Sequence, residues 1–384
     1  MNHASAETIL RDNIDVEKLP IDGIARLKGR PILIYGAGNY GQIICRLLFD
    51  NEVSENLVIG FLDAACVEDA TLLGLPVKRP EDISIPESLR LKAVVIISIY
   101  CSIEEQLAIK EKLYGLGYQN VRTCYEIAIS FHTVNDPSTR ISKTDFLTKN
   151  LDNILRASKI WDDQRSLETY VNHFVGYAKG DIDCFLCETD HKQYFAPLPI
   201  PDNGYSNFID CGAFDGDTIR ELYKHCGKVE NIFLFEPCVE NLDLLQNYVT
   251  TNQSNLADHV VLFPCGVWDK IEQLRFASES AAASSISAEG DTLIQGVAID
   301  EVLFGFDPTF IKMDVEGAEL QALFGAATTI KRCTPTLAIS VYHSLSHFWE
   351  IPELIKNLNP EYRFHLRTYG ASGFETVMYA VAAH

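Results

Sequence analysis

Apolar and polar stretches alternate along this chain in a pattern that predicts strands and helices following one another in turn. Short strands rich in branched side chains are predicted at 31–35, 57–62, 92–99, 208–211, 232–235, 260–264, 310–313 and 336–341. Apolar residues recur at helical spacing between them, as at 43–49, 104–116 and 241–249. Strands that alternate with helices form parallel sheets, so we expect an α/β fold with doubly wound, Rossmann-like sheets.

The length of the chain predicts more than one domain, because 384 residues exceed what a single hydrophobic core usually fills. We expect a Rossmann-like domain of the nucleotide-binding type at 1–130, a helical linker at 131–200 and a second α/β domain at 201–384. In that second domain, strands at 362–368 and 375–381 flank a glycine-containing turn. They predict an antiparallel hairpin that completes the sheet.

A glycine turn after the strand at 208–211 is the first candidate site. Ligands of open α/β sheets collect at such strand–helix junctions, where glycine lets the backbone approach them closely. Three aspartates in this turn disfavour a diphosphate, because like charges about 4 Å apart repel by roughly 4 kcal/mol at an effective dielectric near 20. S-adenosylmethionine, which carries an ammonium and a sulfonium, is expected instead. The predicted contacts are Asp210, Gly212, Ala213, Phe214, Gly216 and Asp217.

The next two strand ends complete the predicted cofactor site. Glu236 ends the second strand about 20 residues beyond the turn, the spacing at which an acid accepts ribose hydroxyls. Pro237 follows it and belongs to the same predicted set. Val267 and Trp268 come after the third strand and are predicted neighbours of the adenine ring. The alternative for Trp268 is ordinary core packing.

A second glycine pattern lies near the start of the chain. Gly36, Gly38 and Gly41 form GxGxxG between a strand and a helix, and Asp63 follows near the ribose-binding spacing. Because this loop carries no acids, it could accept a phosphate, and NAD or a nucleotide sugar is the expected ligand. The alternative is a Rossmann-like module kept for packing or substrate docking.

Two acids and a histidine follow two later strands. Asp314 and Glu316 come after one strand, and His343 after the next. We predict that His343 acts as a general base toward a hydroxyl, with Asp314 or Glu316 orienting it or the acceptor. Glu319 is expected to lie along the helix that begins there. A metal ion held by these groups together with His347 is the alternative, and a required metal is not expected.

The net charge and the cysteine content indicate which partners and which cellular compartment to expect. The net charge is −21 and the pI is near 4.8, which disfavours nucleic acid and anionic membrane surfaces as partners. Residues 1–20 show no apolar core of a secretory signal, and no apolar run has transmembrane length. The 11 cysteines are scattered along the chain and odd in number. This pattern favours reduced thiols over a framework of disulfide bonds. A cytoplasmic protein with a small-molecule or glycan acceptor is expected.

Four runs in the carboxyl-terminal half carry a family resemblance. They are Phe208-Ile-Asp-Cys-Gly-Ala-Phe-Asp-Gly-Asp217, Phe235-Glu-Pro237, Ile311-Lys-Met-Asp-Val-Glu-Gly-Ala-Glu-Leu320 and Glu375-Thr-Val-Met-Tyr379. Residues from about 205 to 384 resemble the FkbM family of S-adenosylmethionine-dependent methyltransferases. The resemblance implies a seven-stranded class I methyltransferase sheet and O-methylation of a sugar, glycan or other small molecule. Many members place an acid in the strand after the third run, where this chain has Val341-Tyr342-His343.

The predicted function is therefore methyl transfer from S-adenosylmethionine to a hydroxyl. One alternative is an NAD-linked oxidoreductase or sugar-nucleotide-modifying enzyme that uses the amino-terminal glycine pattern. Against it, residues 30–130 contain no Tyr-x-x-x-Lys pair or Cys/His arrangement suited to hydride chemistry. A non-enzymatic nucleotide-binding scaffold is the further alternative.

Overall fold

The computed structural model confirms the α/β fold class. It describes residues 1–14, 27, 29–50, 53–67, 70–99, 103–123, 143–179, 184–188, 192–201, 204–278, 284–286, 292–370 and 373–382. Within these residues the strands form a six-stranded, a four-stranded and a seven-stranded sheet.

Helices connect most of these strands. They are α1 His3–Asn13, α2 Asn39–Asp50, α3 Glu87–Lys92, α4 Ile103–Gly115, α5 Lys143–Lys149, α6 Leu151–Ala157, α7 Gln164–Lys179, α8 Asp217–Cys226, α9 Val239–Leu256, α10 Ile299–Val302, α11 Glu319–Phe324, α12 Ala327–Cys333 and α13 His347–Leu358. A short 3₁₀ helix spans Glu55–Leu57. In the described part of the chain, none of the helices combines the length and apolar character needed to cross a bilayer.

The amino-terminal sheet is parallel apart from one short edge strand. Its strands are β1 Ile32–Tyr35, β2 Val58–Leu62, β3 Thr71–Leu72, β4 Leu75–Lys78, β5 Val94–Ile97 and β6 Asn120–Thr123. They lie in the order β3-β4-β2-β1-β5-β6, and β3 pairs antiparallel with β4. Ile32 and Ile34 belong to one buried cluster and Leu33 and Tyr35 to another. Successive side chains of a strand point to opposite faces, so both faces of this sheet are covered.

The carboxyl-terminal half contains the seven-stranded sheet and the four-stranded one. Their strands are β7 Asn207–Cys211, β8 Val229–Phe235, β9 Ala257–Phe263, β10 Gly266–Val267, β11 Glu272–Ser278, β12 Ser284–Ile286, β13 Thr292–Val297, β14 Phe310–Met313, β15 Thr336–Ser340, β16 Tyr362–Thr368 and β17 Thr376–Ala382. The large sheet has the order β16-β17-β15-β14-β7-β8-β9, and the small one β10-β13-β11-β12. Strands β16 and β17 form the predicted antiparallel hairpin. The strand order reverses between β7 and β14, where open α/β sheets bind their ligands.

Helix α1 packs with the carboxyl-terminal half, which differs from the predicted range 1–130. Leu10 of α1 shares a buried core with Tyr170 of α7 and with the large sheet. The amino group of Met1 also donates to Glu168, at 3.1 Å. Residues 143–179, predicted as part of a helical linker, form helices α5 to α7, whose apolar side chains lie in the same core. Amphipathic helices bury their apolar face wherever an apolar surface is available, and chain order does not dictate which one.

Asp163 fixes the start of helix α7 to the last strands of the large sheet. Its carboxylate lies 2.6 Å from His365 Nδ1 and accepts hydrogen bonds from Arg367, at 3.0 Å, and from the backbone N–H of Ser166, at 2.7 Å. Burial alone would raise the pKa of Asp163, but these hydrogen bonds lower it well below its ordinary value. The segment before the large sheet is thereby tied to that sheet by charge-assisted bonds.

Candidate active site

The carboxyl ends of β7, β8, β14 and β15 meet at one edge of the large sheet. The glycine turn follows β7, and the acids at 314 and 316 follow β14. A Cβ atom added to Gly212 would lie 1.9 Å from the carbonyl oxygen of Asp314. The backbone of the turn therefore touches the end of β14, which places the two predicted half-sites side by side.

The glycine turn is held rigidly by backbone contacts. The N–H groups of Gly212 and Ala213 both donate to the carbonyl oxygen of Phe235, each at 3.0 Å. Gly212 has a φ of +81°, and Gly216 has a φ of +91°. Glycine at 212 is thus required by its left-handed backbone and by the approach of β14. Ala213 is buried and its N–H is already bonded, so its predicted cofactor contact is not supported.

Asp210 is paired with a lysine, and its assignment as a cofactor contact stays a prediction. Its carboxylate is fully buried and lies 2.9 Å from the ammonium of Lys312, which is also buried. The two residues are register partners on β7 and β14. Lys312 Nζ also donates to the carbonyl oxygen of Gly212, at 2.5 Å. Burial raises the pKa of Asp210 to about 6, although the ammonium of Lys312 opposes that rise. The buried Asp210–Lys312 pair is therefore bonded directly to the glycine turn, through the Gly212 carbonyl.

The surface of the turn carries fewer free carboxylates than the sequence predicts. Asp215 pairs with Arg220, at 2.5 Å, so its charge is offset. Asp217 is exposed at the start of α8, and its carboxylate accepts a hydrogen bond from the N–H of Thr218, at 2.7 Å. Phe214 is also exposed, with a left-handed φ of +48°. Phe214 and Asp217 are therefore the most exposed of the predicted contacts in the turn.

Glu236 lies at the end of β8, beside the turn. One carboxylate oxygen accepts the N–H of Phe214 and the other the N–H of Cys238, both at 2.9 Å. Burial raises the pKa of Glu236, while these backbone hydrogen bonds oppose that rise. Asn241 also donates to this carboxylate, at 3.4 Å, so about one of its roughly four acceptor positions remains for a ribose hydroxyl. The assignments of Glu236 and of half-buried Pro237 stay predictions.

The two predicted adenine neighbours, Val267 and Trp268, belong to different packed clusters. The side chain of Val267 is buried in the main core, and its assignment as an adenine neighbour stays a prediction. Trp268 is half-buried against Cys238, Leu274 and neighbouring residues, and its indole N–H donates to Glu272, at 2.8 Å. Core packing, the alternative for Trp268, accounts for these contacts.

Contacts within the amino-terminal loop and its helix explain part of the glycine pattern. A Cβ on Gly41 would lie 2.1 Å from the carbonyl oxygen of Gly36, whose φ is +109°. Asp63 accepts the N–H of Ala37, at 2.9 Å, and so holds the loop itself. Gly38 has open space around it. Packing of the helix on the loop accounts for two of the glycines, and nothing supports NAD or a nucleotide sugar as a ligand.

The structure brings Asp314, Glu316 and His343 together. His343 Nε2 lies 3.5 Å from Asp314 Oδ1 and 3.3 Å from Glu316 Oε2. Glu316 has a φ of +52°, in a region that costs a side-chain-bearing residue about 1–3 kcal/mol. Backbone strain of this kind clusters at functional sites. The three side chains form one group at the edge, beside the glycine turn.

Glu319 begins helix α11, as expected, and its side chain also belongs to the same group. It is fully buried, and its Oε1 lies 2.9 Å from His343 Nδ1. The same oxygen accepts the N–H groups of Val315, at 3.1 Å, and Gly317, at 3.3 Å. Its Oε2 lies 3.2 Å from His347 Nδ1. Glu319 therefore fixes the orientation of the His343 ring. We call Asp314, Glu316, Glu319 and His343 the carboxylate–histidine cluster.

Tyr194 supports the cluster from the other side. Its hydroxyl donates to Asp314 Oδ2, at 2.7 Å, and the ring is buried. Burial alone would lower the pKa of His343, but the surrounding carboxylates, Glu319 first, raise it well above its ordinary value. The surrounding carboxylates therefore favour the protonated form of the imidazole.

Sequence reasoning missed Lys312, Glu319 and Tyr194. Lys312 could have been found from the sequence, because it is a lysine within an apolar strand. A buried ammonium needs a carboxylate close to it, and a neighbouring strand can supply one. For Glu319, two histidines four residues apart at 343 and 347 indicate a shared partner. Tyr194 precedes a proline-rich stretch and carries no signal that connects it to Asp314.

A family model described as the methyltransferase FkbM domain matches residues 210–370. That range includes most of the glycine turn, Glu236 and the carboxylate–histidine cluster. No curated protein matches the chain in sequence.

Solved structures extend the likeness to the whole chain. The methyltransferase FkbM from Methylobacillus flagellatus KT matches 98% of this chain and 98% of its own, at 20% identity and a TM-score of 0.74. An rRNA methylase from Streptococcus thermophilus matches 47% of this chain and 92% of its own, at 9% identity and a TM-score of 0.31. Fibrillarin from Aeropyrum pernix, with natively bound S-adenosyl-L-methionine, matches 49% of this chain and 71% of its own, at 10% identity and a TM-score of 0.31. The first of these likenesses shows the fold.

Proposed function

We propose, from the match of residues 210–370 to the methyltransferase FkbM domain, that the chain transfers a methyl group from S-adenosylmethionine to a hydroxyl. The acceptor that we propose is a small molecule, a sugar or a glycan. The observation that carries this proposal is the contact between the glycine turn and the end of β14. This contact supports a proposed donor site in the turn that lies next to a proposed proton-accepting cluster.

The residues of the turn fit a donor that carries positive charge. Asp217 is the exposed acid there, and the nearby cations Lys312 and Arg220 are both paired with aspartates. A diphosphate would meet the negative charge of Asp217 without an unpaired cation from these two residues to offset it. Glu236 lies where a ribose would follow the turn, with acceptor capacity left on its carboxylate. We propose that these groups hold S-adenosylmethionine.

The carboxylate–histidine cluster is proposed to bind the acceptor hydroxyl and to receive its proton. Bound S-adenosylmethionine supplies the methyl group, whose S–C bond breaks as the O–C bond forms, leaving S-adenosylhomocysteine. Asp314 and Glu316 can accept the hydroxyl proton directly, whereas His343 must first give up its own. Glu319 and Tyr194 hold the cluster in place, and such orientation supplies much of the rate in transfer reactions.

A methyl-transfer assay tests the reaction class. The full chain is incubated with S-adenosylmethionine labelled in its methyl group and with sugars, glycans and small alcohols. Matched acceptors in which an amine or a thiol replaces the hydroxyl are run beside them. We expect label on a hydroxyl-bearing acceptor, as an alkali-stable methyl ether. Transfer to the amine or thiol series alone would contradict the proposed acceptor class.

A further inference from the structure

The start of β17 lies at the same edge of the large sheet as the carboxylate–histidine cluster. Strand β17 pairs antiparallel with β15, and Val377 near its start is the register partner of Ser340 at the end of β15. Antiparallel pairing therefore brings Glu375, which precedes β17, next to Tyr342, which follows β15. Both side chains lie where an acceptor bound at the cluster would meet them.

Glu375 and Tyr342 bring two polar atoms close together at this edge. The hydroxyl of Tyr342 lies 3.4 Å from Glu375 Oε1. Hydrogen bonds between two oxygens are usually about 2.5–3.0 Å long, so this contact is a weak one. Both residues are half-buried, and the ring of Tyr342 lies against that of His343, with 4.1 Å between the centroids. A hydroxyl bound beside the two oxygens can therefore form stronger hydrogen bonds with each of them than they form together.

Hydrogen bonds connect Glu375 to Asp314 of the cluster. Gln193 Nε2 donates to Glu375 Oε2, at 2.5 Å, and lies 3.0 Å from the hydroxyl of Tyr194. That hydroxyl donates in turn to Asp314 Oδ2, at 2.7 Å. Glu375 and Tyr194 both have a left-handed backbone, with φ of +54° and +68°. Such strain persists only where the surrounding structure holds it. The two carboxylates therefore belong to one network that fixes their positions relative to each other.

The chemistry of the two groups indicates what binds beside them. Burial, and next the charge of Asp314, raise the pKa of Tyr342 well above its ordinary value, so its hydroxyl keeps its proton and can donate. Burial and the charge of Asp314 also raise the pKa of Glu375, which disfavours a further anion here. A hydroxyl both donates and accepts hydrogen bonds, whereas an ammonium only donates. One carboxylate and one phenol together therefore suit a neutral hydroxyl.

We propose that Glu375 determines acceptor specificity, because its Oε1 accepts a hydrogen bond from a second hydroxyl of the acceptor, to which Tyr342 donates. This inference rests on the proposed function and narrows it. The acceptor carries two neighbouring hydroxyls, as a sugar ring does, and Asp314 faces the one that is methylated. A site that hydrogen-bonds a hydroxyl rejects the analogue lacking it, because its own polar groups are then left without partners.

Transfer from labelled S-adenosylmethionine is measured with the full chain on pairs of acceptors. Methyl glycosides of glucose, galactose and mannose are paired with their monodeoxy analogues, and the vicinal cyclohexanediols with cyclohexanol. We expect Glu375→Gln to lower kcat/KM on a diol by about 10- to 100-fold, the usual effect of losing a hydrogen bond to a charged group. The amide oxygen of glutamine keeps the bond to Gln193, so its amino group replaces Oε1. On the acceptor without the second hydroxyl, the change should stay within about twofold.

A second variant and a control accompany this measurement. Tyr342→Phe should lower kcat/KM on the diol by about 2- to 10-fold, since it removes a hydrogen bond between neutral groups. Glu301→Gln, which changes an exposed residue of α10, should transfer to both acceptors as the wild type does. Calorimetric titration with S-adenosylmethionine shows whether each variant keeps its donor site, and the affinity should be unchanged.

A loss of equal size on both members of an acceptor pair would overturn the proposal, because it would assign Glu375 a structural role. Undiminished transfer by Glu375→Gln to every diol would overturn it as well and leave the proposed function standing. If the wild type binds S-adenosylmethionine but labels none of these acceptors, the proposed function is contradicted, and this inference falls with it.

Discussion

Replacing Lys312 with methionine is expected to lower the free energy of unfolding by about 3–5 kcal/mol, the usual effect of breaking a buried ion pair from one side. Methionine fills a similar volume but leaves the Asp210 carboxylate buried without its cation. The change also removes the hydrogen bond to the Gly212 carbonyl, which supports the turn. Urea denaturation followed by circular dichroism measures the loss.

The double variant Asp210→Asn/Lys312→Met is the matched control for this prediction. It removes both charges, so the uncompensated buried carboxylate that weakens the single variant is gone. We expect the double variant to be more stable than Lys312→Met alone, since replacing a whole buried pair is often neutral. A loss below about 1 kcal/mol in the single variant, typical of an exposed pair, would show that the pair is not buried as described.

Asp314→Asn is expected to reduce kcat for methyl transfer by about 10²- to 10⁴-fold, the usual contribution of a positioned proton acceptor. Asparagine keeps an oxygen that can accept the Tyr194 hydroxyl but loses the negative charge. The affinity for S-adenosylmethionine should stay within about twofold, because the donor is assigned to the turn and Glu236. Steady-state turnover and calorimetric titration of the donor separate these two effects.

Glu301→Gln serves as the control for Asp314→Asn, because it removes an exposed carboxylate from helix α10 without touching the cluster. Its turnover should match that of the wild type. If Asp314→Asn and His343→Gln both keep turnover within a few-fold of wild type, the cluster does not handle the hydroxyl proton. A fall in donor affinity equal to the fall in turnover would instead assign Asp314 to the donor site.

Local sequence patterns were enough to predict the elements that form the site. Branched apolar runs end at 211, 235 and 313, and each end carries an acid or a glycine turn at the edge of the sheet. The hairpin of β16 and β17 was also predicted, because its two strands are adjacent in sequence and share a short turn. Periodicity and turn residues act over a few positions, so they can be found without knowing which strands pair.

Contacts between distant parts of the chain were not predictable in the same way. Whether Asp210 faces the cleft or Lys312 depends on the register of β7 against β14, about a hundred residues later in the chain. The role of Glu319 depends on where the end of β15 delivers His343. Helix α1 buries Leu10 in the core of the carboxyl-terminal half, although the amino-terminal sheet comes next in sequence. Each of these outcomes depends on which of several compatible surfaces come together.

Calorimetric titration of the full chain with S-adenosylmethionine, with NAD as the comparison, tests the central claim most directly. We expect one molecule of S-adenosylmethionine per chain and a loss of at least about tenfold in affinity for Glu236→Gln, since a hydrogen bond to a charged group contributes roughly 1.5–3 kcal/mol. Tight binding of NAD without binding of S-adenosylmethionine, or equal affinity in wild type and Glu236→Gln, would contradict the account.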